Sequence, residues 1–240
     1  MNKLDILAFG AHPDDVELGC GGTLIKHVKL GKKVGIIDLT LGQLGTRGTV
    51  EKRLDEAKNA AAIIGASVRE NLEMEDGFFE NDAEHRLKVI RAIRKYKPEI
   101  VICNAPHDRH PDHGRAAKLV VEASFYSGLR KIECKDENGN ILEPWRPKQV
   151  YHYIQFYDLK SDFSVNISEE IDQKMQCILA HDSQFYNPNS TEPQTLIASP
   201  EFLNQVKYRA ACLGIQIGVE YAEAFISPRP LGIQSFNELI

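Results

Sequence analysis

The chain has 240 residues, of which 42% are hydrophobic and 26% charged, and its formal net charge is −5. These proportions belong to an ordinary globular protein able to bury one sizeable core, and with no cluster of Lys and Arg they argue against a nucleic-acid partner. No apolar run approaches the roughly 20 residues that span a bilayer, and the opening MNKLDILAF lacks the pattern of a signal peptide, so a cytosolic protein without a membrane partner is expected.

In chain order, residues 4–9 (LDILAF) and 34–39 (VGIIDL) are short apolar runs that read as buried strands, with room for one helix between them over 18–31. Residues 53–64 (RLDEAKNAAAII) have helical character, and Gly65 is placed to stop them. A third strand is expected near Val68–Met74. Residues 87–96 (LKVIRAIRKY) carry apolar side chains at helical spacing, Pro98 ends that helix, and 99–103 (EIVIC) follow as another buried strand. After Gly114 the run RAAKLVVEASFY reads as a helix, 134–139 (CKDENG) as a loop around an Asn-Gly turn, and 150–157 (VYHYIQFY) as a further strand. Two more helices are expected over 169–180 and 201–213, separated by a loop rich in Pro, Asn, Ser and Thr over 186–200. Strands alternating with helices imply an α/β, Rossmann-like fold with a mainly parallel sheet and helices on both faces. A single domain over 1–240 with a C-terminal elaboration is expected.

The five cysteines (Cys20, Cys103, Cys134, Cys177, Cys212) are widely spaced and form no CxxC pair, so neither a disulfide framework nor a thiolate zinc site is expected. Cys20 lies near the first motif described below, where a small apolar packing role is favoured over ligation.

Two motifs carry the chemistry. GAHPDD follows the first predicted strand, and NAPHDRHPDHG (104–114) follows the strand at 99–103. Parallel strands of one sheet would deliver both to its carboxyl-terminal edge, where ligands bind in open α/β folds. Together they offer His12, Asp14, Asp15, His107, His110, Asp112 and His113. A catalytic zinc ion takes three ligands from His and Asp/Glu and leaves a fourth position open. Histidine and carboxylate from the first loop with one histidine from the second meet that count, and leave a free aspartate as general base and a spare imidazole as acid or oxyanion stabiliser. Plainer roles compete: Asp14 or Asp15 as N-cap of the first helix, Asp112 as a cap after His113, and HDRHPDH as a solvated loop.

AHPDDVELGCGGTL together with PHDRHPDHGRA resembles the zinc-dependent N-acetylglucosamine deacetylase superfamily, the LmbE or PIG-L family. The resemblance extends through GTRG at 45–48, RLDEAKNAAAIIG at 53–65, EDG at 75–77 and GVEYAEAF at 218–225. The last of these is similar to the bacillithiol-biosynthesis branch, whose members deacetylate N-acetylglucosaminyl malate. The resemblance implies a Zn2+ cofactor held by His12, Asp15 and His113, with Asp14 as general base. His110 would meet the oxyanion or leaving amine, with Asp112 pairing to it and raising its pKa. Arg53 and Asp76 would contact an amino-sugar substrate, with Arg109 an alternative to Arg53, which could otherwise be a surface charge. A symmetric homo-oligomer, with a hexamer among the assemblies expected, is also implied. A tyrosine that assists at the oxyanion in this family has no match in the 186–200 loop. His27, His85, His152 and His181 are expected to be structural or exposed. Rival readings are a deacetylase of another N-acetylglucosamine sugar such as a chitooligosaccharide, a Rossmann-type nucleotide-binding module built on GCGG, and a closed structural metal site.

Overall fold

A computed structural model describes residues 3–239, and strands alternate with helices through most of it. The elements are β1 (Ile6–Gly10), α1 (Asp15–Lys29), β2 (Val34–Thr40), α2 (Val50–Ile64), β3 (Val68–Met74), α3 (Ala83–Tyr96), β4 (Ile100–Cys103) and α4 (Pro111–Tyr126). They continue with β5 (Gln149–Tyr153), β6 (Phe163–Asn166), α5 (Ile171–Leu179), α6 (Pro200–Gln216) and β7 (Ala222–Ile226). One sheet has the order β3-β2-β1-β4-β5-β7-β6. Its first five strands are parallel, and β7 runs antiparallel between β5 and β6.

Side-chain alternation along β1 divides the core. Leu7 and Phe9 face α3 and α4 through Val89, Ile93, Leu119 and Val120. Ile6 and Ala8 face the other layer through Leu24, Ile25 and Ala60. Every residue of β1 and β2 is buried, which explains why both read as unbroken apolar runs. Local chemistry sets the helix ends. The Thr49 side chain accepts from Lys52 N–H at the start of α2, and Gly65 ends it at φ 81°.

The parallel sheet with helices on both faces matches the expectation, and several boundaries move. α4 begins at Pro111, because Pro suits the first helical turn and His110 caps it. β5 stops at Tyr153, after which Ile154 N–H turns to the Ala224 carbonyl of β7. β6 and β7 were not anticipated: one is only four residues long, and the other carries buried Glu223 where a core strand would be apolar.

Glu223 has a structural reason to be there. α1 is broken at Cys20 (φ −145°, ψ 18°), which frees backbone groups on either side of the kink. Gly22 N–H and Thr23 N–H donate to the Glu223 carboxylate at 3.0 and 2.7 Å. Lys174 of α5 donates to the Leu18 carbonyl at 2.7 Å and pairs with Glu223. These donors are the ones a phosphate would need, so the nucleotide-binding reading of GCGG fails. Cys20 packs in the core behind the sheet rather than at the first motif's polar residues. No helix among the described residues is long and apolar enough to cross a membrane.

Candidate active site

β1 and β4 are neighbours, and the strand order reverses between them, so the loops after both strands open into one crevice. Asp15 is the hub where they meet. Its Oδ2 accepts from His12 N–H at 3.0 Å and from Asn104 Nδ2 at 3.1 Å. Its Oδ1 accepts from Gln155 Nε2 at 2.9 Å and lies 3.1 Å from His113 Nε2. His12 Nδ1 stands 3.6 Å from Oδ2. Each of these imidazoles holds its other nitrogen against carboxylate: His113 Nδ1 lies 2.9 Å from Asp108, and His12 Nε2 lies 3.1 Å from Asp76 and 3.2 Å from Asp112.

That donor set fits a divalent ion. His12 and His113 each bring an imidazole nitrogen to the Asp15 carboxylate, at 3.6 Å from Oδ2 and 3.1 Å from Oδ1, which is the two-histidine, one-carboxylate donor chemistry of a catalytic divalent-ion site. The carboxylates behind both imidazoles are the outer partners that orient metal-binding histidines. Nitrogens of His12, His110 and His113 also lie within 4.8 Å of one another, as do donor atoms of His12, Asp76 and Asp112. The charges are tuned accordingly. Burial opposes ionisation of every member, yet Asp112, Asp15 and Asp76 hold His12 well above the usual imidazole range. Burial likewise lowers the His113 pKa, but Asp15 and Asp108 together bring it to about 9. Asp15 is held well below the usual carboxylate range, where His113 and His12 outweigh desolvation.

Asp14 stands beside this cluster in a different state. Its backbone sits at φ 136°, a strained conformation for a residue with a side chain, and its side chain makes no cap to α1. Asp14 thus occupies the N-cap position without a side-chain bond to the helix, and Asp15 is the first helical residue, so neither carboxylate is spent on capping α1. Burial raises the Asp14 pKa to about 6, against the opposing pull of Arg53. Arg53 is 5% exposed and so is no surface charge. Its guanidinium donates to the Gly42 carbonyl at 2.8 Å, to the Pro13 carbonyl at 3.1 Å, and approaches Asp14 Oδ2 at 3.4 Å. Gly42, at φ 67°, leaves room for it, since a Cβ there would fall 1.9 Å from Arg53 Nη1.

The expected pairing of His110 with the Asp112 carboxylate is corrected. Residues two apart at a helix start do not face each other. The Asp112 carboxylate instead engages His12, Gly77 N–H at 2.9 Å and Arg115 at 2.7 Å. It also does not cap a helix, since His110 Nδ1 accepts Asp112 N–H at 3.3 Å and fills that role itself. Burial, with His12 and His113 nearby, lowers the His110 pKa, so this imidazole is held neutral. With Nδ1 accepting, its proton sits on Nε2.

A cavity of about 430 Å³ opens over these groups and is lined by His12, Asp14, Asp15, Arg53, Asp76, His110 and His113, with Arg109 at its exposed mouth over the Phe156 ring. Asp76 reaches it while accepting from Leu44 N–H at 2.8 Å. No tyrosine lines it among the described residues. His107 stays exposed outside it. His27 bonds the Thr23 carbonyl, His85 pairs with Asp82 and Glu75, and His152 bonds the Asn104 carbonyl. His181 is fully buried 3.2 Å from Glu17, whose carboxylate also meets Arg69. Sequence reasoning missed Asn104, Asp108 and Gln155. The spacing of Asp108 ahead of His113 could have signalled its role, whereas nothing local distinguishes Gln155.

Residues 7–124 match the family model for GlcNAc-PI de-N-acetylase, PIG-L. A diacetylchitobiose deacetylase of Thermococcus kodakarensis is 31% identical over 190 residues, which are 75% of this chain and 70% of that protein. A probable N-acetyl-alpha-D-glucosaminyl L-malate deacetylase 2 of Bacillus anthracis is 27% identical over 207 residues, covering 77% of this chain and 83% of that one. The crystal structure of the conserved protein TT1542 from Thermus thermophilus superposes with a TM-score of 0.86 at 37% identity, over 97% of this chain and 98% of that one. The fold, the convergence of AHPDD with HPDH on one crevice, and these likenesses together make the chain a member of the PIG-L (LmbE-like) deacetylase family, hydrolases of N-acetyl amides.

Proposed function

We infer that the protein is a zinc-dependent deacetylase of an N-acetylglucosaminide, with N-acetylglucosaminyl malate as the preferred substrate. The observation that carries the reaction is the placement of Asp14: a buried carboxylate with a pKa of about 6, adjacent in sequence to Asp15 but spared from its bonds. His12, Asp15 and His113 would hold the ion. When bound, such an ion supplies Lewis acidity, bringing the pKa of a water from ~15.7 to about 7 and polarising an acyl carbonyl.

The chain's own groups supply the rest. Arg53 holds Asp14 through Oδ2, so Asp14 takes the proton of the attacking water at a carboxylate already tuned close to neutrality. His110 offers a fixed Nε2–H donor to the oxyanion as the carbonyl carbon becomes tetrahedral. A neutral imidazole whose Nδ1 is occupied is a poor proton source, so Asp14, now protonated, gives the proton to the departing nitrogen. This replaces the proton-donating role expected of His110. The C–N bond breaks, and the products are the free amine and acetate.

Malate is favoured by Arg109, an exposed guanidinium at the mouth that can bind a carboxylate bidentately, and by the likeness to the Bacillus anthracis protein. Diacetylchitobiose is the second reading, supported by the more similar Thermococcus kodakarensis relative. Fluorescamine detection of released amine from the two substrates and from free N-acetylglucosamine tests the choice. The malate glycoside should give the highest kcat/KM; a preference for diacetylchitobiose would move the assignment to the second reading.

A further inference from the structure

The cavity reaches further than an acetamide requires. Beyond the polar cluster it passes Leu18 and Gly19 of α1 and continues beneath α6 to small residues of β7, Ala222 and Ala224. On α6 the lining residues are Phe202, Gln205, Val206, Arg209, Ala210 and Leu213, of which the four apolar ones are spaced to share one helical face. This face is turned to the cavity rather than fully packed: Val206 and Leu213 are only half-buried. The charged groups on this side are already engaged. Lys174 pairs with Glu223 and the Leu18 carbonyl, and Arg209 donates to the carbonyls of Phe156 and Tyr157. A wall of this kind suits an alkyl chain better than sugar hydroxyls, which would lose hydrogen bonds to water there.

An acetyl group brings one methyl, comparable to the ~30 Å³ share of a single water, while the cavity of about 430 Å³ also has to hold the sugar. The sugar and its aglycone belong at the other end, where Arg109 and Leu44 stand exposed at the mouth. The acyl substituent is attached to the carbonyl carbon that must sit beside Asp14 and His110, and the α6 wall of the same cavity offers it buried Phe202 and Ala210 beside half-buried Val206 and Leu213.

We propose that the branch under α6 is an acyl pocket and that the enzyme also hydrolyses N-acyl glucosaminides with chains longer than acetyl, butyryl and hexanoyl among them. The reaction is the same hydrolysis: water adds to the acyl carbon, the C–N bond breaks, and a fatty carboxylate and the amine leave with the water's protons. The proposal rests on the amidohydrolase reading above and extends its substrate range. Burying one CH2 is worth about fourfold in affinity, so two added methylenes should raise kcat/KM by up to about fifteenfold.

The test compares N-acetyl, N-butyryl and N-hexanoyl glucosamine with the zinc-loaded enzyme, scoring released amine, in the wild type and in Val206→Phe and Leu213→Trp. The wild type should cleave the butyryl compound at least as well as the acetyl one, and either variant should lower the butyryl-to-acetyl ratio about tenfold or more. Two variants are used so that a folding failure in one, seen in its thermal melt, leaves the other to decide. Acetyl cleavage with butyryl cleavage about a hundredfold slower overturns the pocket and leaves the deacetylase reading standing. A ratio unmoved in both folded variants overturns its placement under α6. Butyryl cleavage without acetyl cleavage supports the pocket and contradicts the acetamide reading, and no cleavage of any amide defeats both.

Discussion

Asp15 and His113 face each other at 3.1 Å, Oδ1 to Nε2, although one follows β1 and the other lies in the first turn of α4. That approach ties the two motifs into one donor set. Asp15→Ala and His113→Ala should each reduce zinc content, measured by plasma emission spectroscopy, to a small fraction of one equivalent. A full equivalent retained in either variant would remove that residue from the ligand set.

Asp14→Asn should keep its zinc and lose turnover by about 10²–10⁴, the usual worth of a general base. The same change should stabilise the metal-free protein. The Asp14 pKa is raised by folding from 3.8 to about 6, so its contribution is full below pH 3.8 and is lost as pH rises through 6. At pH 7.5 the Asn variant should be the more stable by up to about 3 kcal/mol, and the gap should close near pH 4. Urea unfolding at both pH values reads it; equal stability at pH 7.5 would mean Asp14 is not penalised by burial.

Metal binding should release protons. His12 and His113 both carry raised pKa values in the metal-free chain, His113 at about 9, and a ligating imidazole nitrogen must be bare. Titration calorimetry of zinc at pH 7.5 in buffers of different ionisation enthalpy should give a slope near two protons. A slope of zero would contradict the pairing of these imidazoles with Asp15, Asp76, Asp108 and Asp112.

Arg69 is the cation of a buried network, bonding Asp38 through Nε and Nη2 and meeting Glu17 beside His181. Arg69→Met leaves two buried carboxylates without their guanidinium and should cost about 3–5 kcal/mol at pH 7. Burial pushes the Glu17 pKa up, but Arg69 and His181 bring it from 4.5 down to about 2, so its contribution is present above pH 4.5 and lost as pH falls toward 2. The cost of the substitution should therefore shrink below pH 4. Denaturant midpoints that differ by the same amount at pH 7 and pH 3.5 would show that the network is not held by charge.

Arg109→Ala should raise KM for the malate glycoside about tenfold or more with little change in kcat, because a contact at the mouth is made equally in the ground and transition states. Steady-state kinetics with uncharged N-acetylglucosamine is the control. A similar rise in KM for that substrate would show that Arg109 does not read the carboxylates.

What the sequence made legible follows from locality. β1 and β2 are buried on both faces and read as apolar runs, and the two motifs stand at strand ends where topology alone brings them together. Less legible was anything held by a distant partner. β7 escapes notice because Glu223 is explained only by the kink in α1, some two hundred residues earlier in the chain. The roles of Arg53 and Asp112 depend on carbonyls, amides and an imidazole supplied by other loops. The family resemblance implies a pairing of His110 with Asp112, yet the Asp112 carboxylate is taken up by His12, Gly77 N–H and Arg115.

The most direct test of the account is amine release from N-acetylglucosaminyl malate by one preparation assayed as purified, after exhaustive chelation, and after zinc is restored. Turnover is expected, with its loss on chelation and its return with about one equivalent of zinc per chain. Amine release that survives removal of the metal undiminished would contradict it.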